Sequence, residues 1–225
     1  MTFAERLRNE TNQAHSLAEN AAFIRGFLRG YLNVQSYRLM LLGLADVYEA
    51  MEIALDRHKQ HPVIQQVYHD GLRRKPVMKM DIEYLTQKVD NPQSPQSKAI
   101  ERYVARIREL EESSPELLVA HSYVRYMGDV SGGQILRKIA AKALKLEGNQ
   151  GLMFYDFSEL GDIAEFKNQY RSGLNSLPVD DSMRDAIVAE SIEVFRLNID
   201  FFNELEGSCL VGLWNIIRPT LKKAS

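Results

Sequence analysis

The chain has 225 residues, 45% of them hydrophobic, which is enough for one large core and short for two. A formal charge of -2, with no continuous basic block, offers no bulk attraction for nucleic acid, and none is expected as a partner. The single cysteine, Cys209, excludes an intramolecular disulfide framework and a paired-cysteine zinc or redox site, and reads as a small buried residue in a reducing compartment.

Met1 to Leu7 has neither the basic nor the apolar region of a leader peptide, so a cytoplasmic location is expected. Apolar residues then recur at helical spacing almost throughout, and strand-like alternation is scarce. This predicts an all-α, single-domain chain. A first helix is predicted from Phe3 to Glu19, with Phe3, Leu7, Thr11, Ala14 and Ala18 along one side. A second follows from Ala22 to Gly30. A third, capped by Ser36, runs through Tyr48 to Lys59 and is ended by His61-Pro62. Asn91 to Pro95 is a loop, after which helix resumes from Ser97 to Glu112.

Ser114-Pro115-Glu116 combines a cap, a proline at the first helical position and an acid in the first turn. It opens a helix predicted to reach Leu146, before Gly148-Asn149-Gln150-Gly151. Two more helices are predicted, from Asp162 to Leu174 and from Asp181 to Leu205. Residues 1–206 form the body, and 207–225 a tail that is packed on it or flexible. The apolar run from Cys209 to Ile217 is too short to span a membrane, which takes about 20 residues. It reads as a segment folded onto the body or resting on a membrane surface or partner. No integral membrane segment is expected, and the chain is expected to be a monomer.

Three glycines and an aspartate interrupt the long helix in Gly128-Asp129-Val130-Ser131-Gly132-Gly133. Each interior glycine forgoes about 0.8–1 kcal/mol of helix propensity relative to alanine. A kink, a closely packed neighbouring helix or a flat ligand on the helix surface would each account for them. Arg125, Asp129 and Gly133 follow one another at i+4 steps. A carboxylate amid bare backbone is expensive to bury unless Arg125, Tyr48, Tyr123 or water satisfies it, which suits a wet pocket better than a dry seam.

Among the five histidines, His15 lies inside the first helix beside its apolar stripe. Alone it fits either a partly buried structural residue or an iron ligand. Glu19, at i+4, is placed to accept the proton of the other ring nitrogen, and Arg8 lies on nearly the same face about 10 Å along the axis. His58 and His61 read as surface residues, and His69 and His121 as structural ones. No Glu-x-x-His pair exists, which excludes a di-iron carboxylate bundle. Lys167 and Arg171 form an i, i+4 cationic pair that is either a solvated face or, with Arg8, a seat for a dianionic ligand.

His15 with Glu19, the run from Glu116 to Tyr123, and Gly128-Asp129-Val130-Ser131-Gly132-Gly133-Gln134 together resemble the haem oxygenases. The resemblance also takes in Tyr48, Lys167 to Arg171, and Phe195-Arg196-Leu197-Asn198, and covers residues 3 to 206 in order. It implies a fold that sandwiches haem b, at once substrate and cofactor, between a proximal helix carrying His15 as iron ligand and a kinked distal helix. It further implies that Gly128, Ser131, Gly132 and Gly133 line the porphyrin face, and that Asp129, with Tyr48 and Arg125, organises distal water. Arg8, Tyr123, Lys167 and Arg171 would lie near the propionates, with Glu19, Phe195 and Asn198 completing the cofactor site. The implied reaction uses O2 and electrons from an external reductase, a ferredoxin or a flavoprotein, and yields biliverdin, carbon monoxide and ferrous iron. Arg8 stands where lysine is common in that family, and Val124 replaces a frequent threonine.

Overall fold

The computed structural model describes residues 1–94 and 96–221, with side chains described as far as Leu205. Every regular element among them is helical, in agreement with the all-α expectation. Helix α1 spans Phe3–Glu19 as predicted. Its start is fixed by a capping box in which Thr2 Oγ1 accepts the Glu5 amide and the Glu5 carboxylate accepts the Thr2 amide. Phe3, Leu7, Thr11 and Ala18 form its buried side, and the Thr11 hydroxyl is satisfied by the Leu7 carbonyl at 2.7 Å.

Helix α2, Ala22–Leu28, stops short of the predicted Gly30, which adopts a φ of 77°. Helix α3, Val34–Arg57, is capped by Asn33 rather than Ser36; Ser36 is the reciprocal partner within the first turn. Helix α4, Lys75–Thr86, has no counterpart among the predicted elements. Its buried side is Met78, Asp81 and Leu85, so a carboxylate breaks the apolar stripe that would have marked it. Nor does a local residue cap it. Glu52 of α3 accepts the Arg74 amide at 2.6 Å and the Lys75 amide at 3.4 Å.

Helix α5, Lys98–Ser113, is capped by Ser97. The helix predicted from Pro115 to Leu146 is instead composite. A 3-10 turn, Pro115–Leu117, leads into α6, Leu118–Ser122; a π-helical turn, Tyr123–Met127, follows; then α7, Gly128–Leu144, ends at Lys145 in the left-handed region. Helix α8, Ile163–Asn175, is capped by Asp162, and α9, Asp181–Leu221, runs past the predicted end at Leu205. The expectations for Cys209 and for the packing of the 207–225 tail lie outside the described residues. Among the described residues, no helix is long and apolar enough to cross a membrane.

Helices α3, α5 and α9 pack against one another at the centre, with α1, α2 and α6 laid on α9, α8 on α1, and α4 on α3. The approach of α9 to α3 is close because Gly43 leaves the Phe201 ring the space that a Cβ would occupy. Tyr37, Tyr48, Tyr103 and Phe27 are fully enclosed in this core, each large side chain contributing about 1.5–3 kcal/mol through burial. α1 thus leans on α9 and α8 rather than along α7.

Candidate functional site

The π-helical turn ends at Met127, immediately before the glycine-bearing segment. Such turns insert an extra residue into the helical repeat and re-aim the side chains that follow. Arg125 lies within it and Asp129 one turn beyond. The two meet face to face, with Arg125 Nη2 3.1 Å from Asp129 Oδ1 and 3.2 Å from Oδ2. Tyr48 of α3 donates its hydroxyl to the same carboxylate, and its ring lies 5.5 Å beneath the guanidinium. Arg125 Nη1 donates to Asn198 Oδ1 of α9 at 2.8 Å, while Asn198 Nδ2 is anchored on the Val194 carbonyl. Tyr123, one of the candidate partners for Asp129, takes no part.

Burial pushes the Asp129 carboxyl above the usual carboxylate range, and Arg125 and the Tyr48 hydroxyl pull it back. Burial and the Asp129 charge push the Tyr48 phenol up, so it remains a donor. Arg125 stays cationic, since Asp129 and its tyrosine neighbours outweigh the burial that disfavours its charge. Its Nε is buried with no hydrogen-bond partner among the described residues. The three groups form a fixed acceptor, tied down on two sides.

His15 is not a core histidine: its side chain is 51% exposed. Glu19 Oε2 stands 3.8 Å from Nδ1, beyond hydrogen-bonding distance. The ring is set edge-on against Phe195 of α9, with centroids 5.7 Å apart and planes at 79°. Phe195 and Asn198 lie at i and i+3 on α9, so neighbouring positions of one helix touch His15 and Arg125 respectively. The sequence-distant histidine and the Arg125–Asp129 pair are thus linked through one short stretch of α9.

Two of the candidate cations, Arg8 and Arg171, bear on Tyr123. Burial pushes the Tyr123 phenol up, and the nearby Thr11 hydroxyl and the charges of Arg8 and Arg171 pull it back. Arg171 is held by Asn168 Oδ1 at 3.0 Å, and Lys167 lies one turn earlier on α8. Among the described residues, none of Arg8, Lys167 and Arg171 is in an ion pair.

The glycines separate into two kinds. A Cβ at Gly128 or Gly132 would meet nothing within 4 Å, and Ser131 beside them is exposed. Gly133, expected with them at the ligand face, is buried, and a Cβ there would stand 3.1 Å from Tyr155 Cδ1. Two of the three are bare outward and the third is a packing contact.

His58 caps α3 at the surface, and His61 stands 3.4 Å from Glu116. His69 packs on Phe166, ring centroids 5.0 Å apart. His121 is fully enclosed, 3.0 Å from Glu190, which also grips Arg106. Among the described residues, no group of three or more His, Cys, Asp and Glu side chains converges to hold a metal ion. His15 therefore belongs to no such group.

A family model described as "Heme oxygenase" matches residues 1–204. "Heme oxygenase 1" of the cyanobacterium Nostoc sp. is 40% identical over 220 residues, spanning 98% of this chain and 92% of its own length. "Heme oxygenase 1" of Homo sapiens is 38% identical over 205 residues, spanning 90% of this chain and 71% of its own. Among solved structures, heme oxygenase-1 from Synechocystis sp. in complex with heme superposes with a TM-score of 0.92 at 39% identity, covering 98% of this chain and 100% of that one. Heme oxygenase from Leptospira interrogans does so with a TM-score of 0.85 at 45% identity, covering 91% of this chain and 100% of that one.

Proposed function

The chain belongs to the haem oxygenase family, and on that premise we propose that it takes haem as substrate and cofactor and opens the ring to biliverdin, carbon monoxide and ferrous iron. The observation that carries this reading is the bracketing of one site by α9, with Phe195 against His15 and Asn198 against Arg125. A flat, iron-bearing dianion fits the residues present. His15 offers an exposed imidazole, Gly128 and Gly132 offer bare backbone, and Arg8, Lys167 and Arg171 offer unpaired charge.

When bound, haem supplies the iron at which O2 is activated against the ring itself. His15 would hold the iron through its imidazole, a donor less electron-releasing than a thiolate. Glu19, 3.8 Å from His15 Nδ1, is the carboxylate that would orient the ring of an iron-bound His15. Asp129, immobilised as an acceptor by Tyr48 and Arg125, would hold a water by its carboxylate, and that water, a weak acid, would be the proton donor on this side of the site. Gly128 and Gly132, with Ser131 beside them, let the ring approach the helix backbone. Arg8, Tyr123, Lys167 and Arg171 bind the propionates and set the rotational seating that selects the α-meso carbon. Electrons come from a separate donor, a ferredoxin or a flavoprotein reductase. The lone Cys209 suits a cytoplasmic setting.

The test is an absorption time course of the hemin-reconstituted protein in air with ascorbate and an iron chelator, with products separated by chromatography. Loss of the Soret band with formation of biliverdin IXα is expected. A stable haem spectrum under reduction would make the protein a haem binder, and no saturable hemin uptake would overturn the reading altogether.

A further inference from the structure

The segment Gly151–Asp156 lies behind the distal helix and touches it twice. Tyr155 presents its ring to Gly133, and its carbonyl accepts Gln134 Nε2 at 2.9 Å. Its neighbour Phe154 packs edge-on against Tyr48, with centroids 5.8 Å apart and planes at 71°. One turn therefore backs both the helix that carries Asp129 and the tyrosine that donates to it.

That turn is held from the opposite side by a carboxylate with no part in the chemistry described above. Asp81, on α4, is 1% exposed. Its Oδ1 accepts the Met153 amide at 3.0 Å and its Oδ2 the Phe154 amide at 2.7 Å. Tyr37 donates to the Gly151 carbonyl at 3.1 Å, and Arg74 to the carbonyls of Phe154 and Asp156. Asp81 is the anchor that satisfies the turn's buried amides, donors that are costly to leave unpaired. Burial pushes its carboxyl up to about 6, against the pull of the Phe154, Met153 and Gly151 amides and the more distant Arg137; Tyr37 and Tyr155 are the other titratable groups facing this cluster.

We propose that Asp81 is a positioning residue for the distal side of the site, fixing the Gly151–Asp156 turn so that Tyr155 and Phe154 hold the Gly133 backbone and the Tyr48 ring in place. Its bearing on turnover rests on the haem reading above; its bearing on the distal helix does not. Asp81→Asn keeps the shape but turns an amide NH2 towards backbone N–H donors.

The first measurement is amide hydrogen exchange of the hemin-free protein and of Asp81→Asn. Residues 128–134 are expected to exchange about ten-fold faster in the variant, with α5 unchanged. Acceleration confined to residues 151–156 would overturn the proposal. The second uses the hemin complex: hemin affinity is expected to stay within about two-fold while kcat falls about five-fold or more and the pH midpoint of the ferric haem spectrum moves. A variant that lost thermal stability but kept kcat and midpoint would reduce Asp81 to a structural residue. If Asp81→Asn does not fold, Asp81→Glu, which keeps the carboxylate, is expected to restore folding and the slow exchange; fast exchange in folded Asp81→Glu would also overturn the proposal. Failure of the unsubstituted chain to take up hemin would sink the haem reading, and the hemin-free exchange would still decide this one.

Discussion

The Tyr48 hydroxyl donates to Asp129 Oδ2, joining α3 to the glycine-bearing helix where Arg125 grips the same carboxylate. The pairing leaves Asp129 fixed, buried and more basic than an ordinary aspartate. Asp129→Ala is expected to retain hemin and lose ring opening, because the iron ligand is untouched while the water-holding acceptor is gone. Tyr48→Phe removes one of two anchors and is expected to slow biliverdin formation by about ten-fold, equivalent to about 1.4 kcal/mol. Biliverdin yield in single-turnover assays checks both; wild-type yield in Asp129→Ala would sink the assignment.

His15→Ala should abolish the axial imidazole. The ferric absorption spectrum should change and turnover should cease, with imidazole added to the solution restoring part of the spectrum. An unaltered spectrum would mean that another residue binds the iron.

The glycines make opposite predictions for stability and ligand binding. Gly132→Ala has open space for its methyl group and gains helix propensity, so the hemin-free protein is expected to be more stable by about 0.8–1 kcal/mol. Its hemin affinity should nevertheless fall. Gly133→Ala must displace the Tyr155 ring and should show less gain or a net loss of stability. Thermal melts with and without hemin distinguish the two sites.

Glu190 carries a stability term with a defined pH window. Burial raises its carboxyl, but His121 and Arg106 outweigh burial and bring it down to about 2, from 4.5. A lowered folded-state value stabilises the protein fully above the unfolded value and is lost as pH falls through the folded one. Glu190→Gln is thus expected to be less stable than the parent at neutral pH, with the gap narrowing between about pH 4.5 and 2. Urea unfolding across that range measures it.

Arg171→Ala should weaken hemin binding by about three- to ten-fold, less at high salt, since the lost partner is an exposed cation. A changed proportion of biliverdin isomers would mark its part in seating the ring. Lys167→Ala and Arg8→Ala test the same group, and isomer ratios unchanged in all three would remove seating from their role.

Much of the fold was legible because local signals and tertiary outcome agreed. The stripe from Phe3 to Ala18, the Ser97 cap and the Asp162 cap each set an element without outside help. Helix α4 was illegible because its stripe contains Asp81 and its cap comes from Glu52, a residue on another helix. The π turn was equally hidden, since every residue from Tyr123 to Met127 reads as ordinary helix and the register shift arises from packing.

By itself the sequence determined the residue types that the chemistry needs and their order along the chain: an imidazole on an amphipathic helix, a carboxylate among glycines, and a late cationic pair. Those are properties of short spacings, which one helix preserves wherever it lies. Only the tertiary structure decided that Phe195 meets His15 while Asn198 meets Arg125, that Gly133 faces Tyr155 while Gly132 is open, and that Asp81 holds the turn behind them. These relations join separate helices, and the packing of large core side chains, which no single segment encodes, sets their distances.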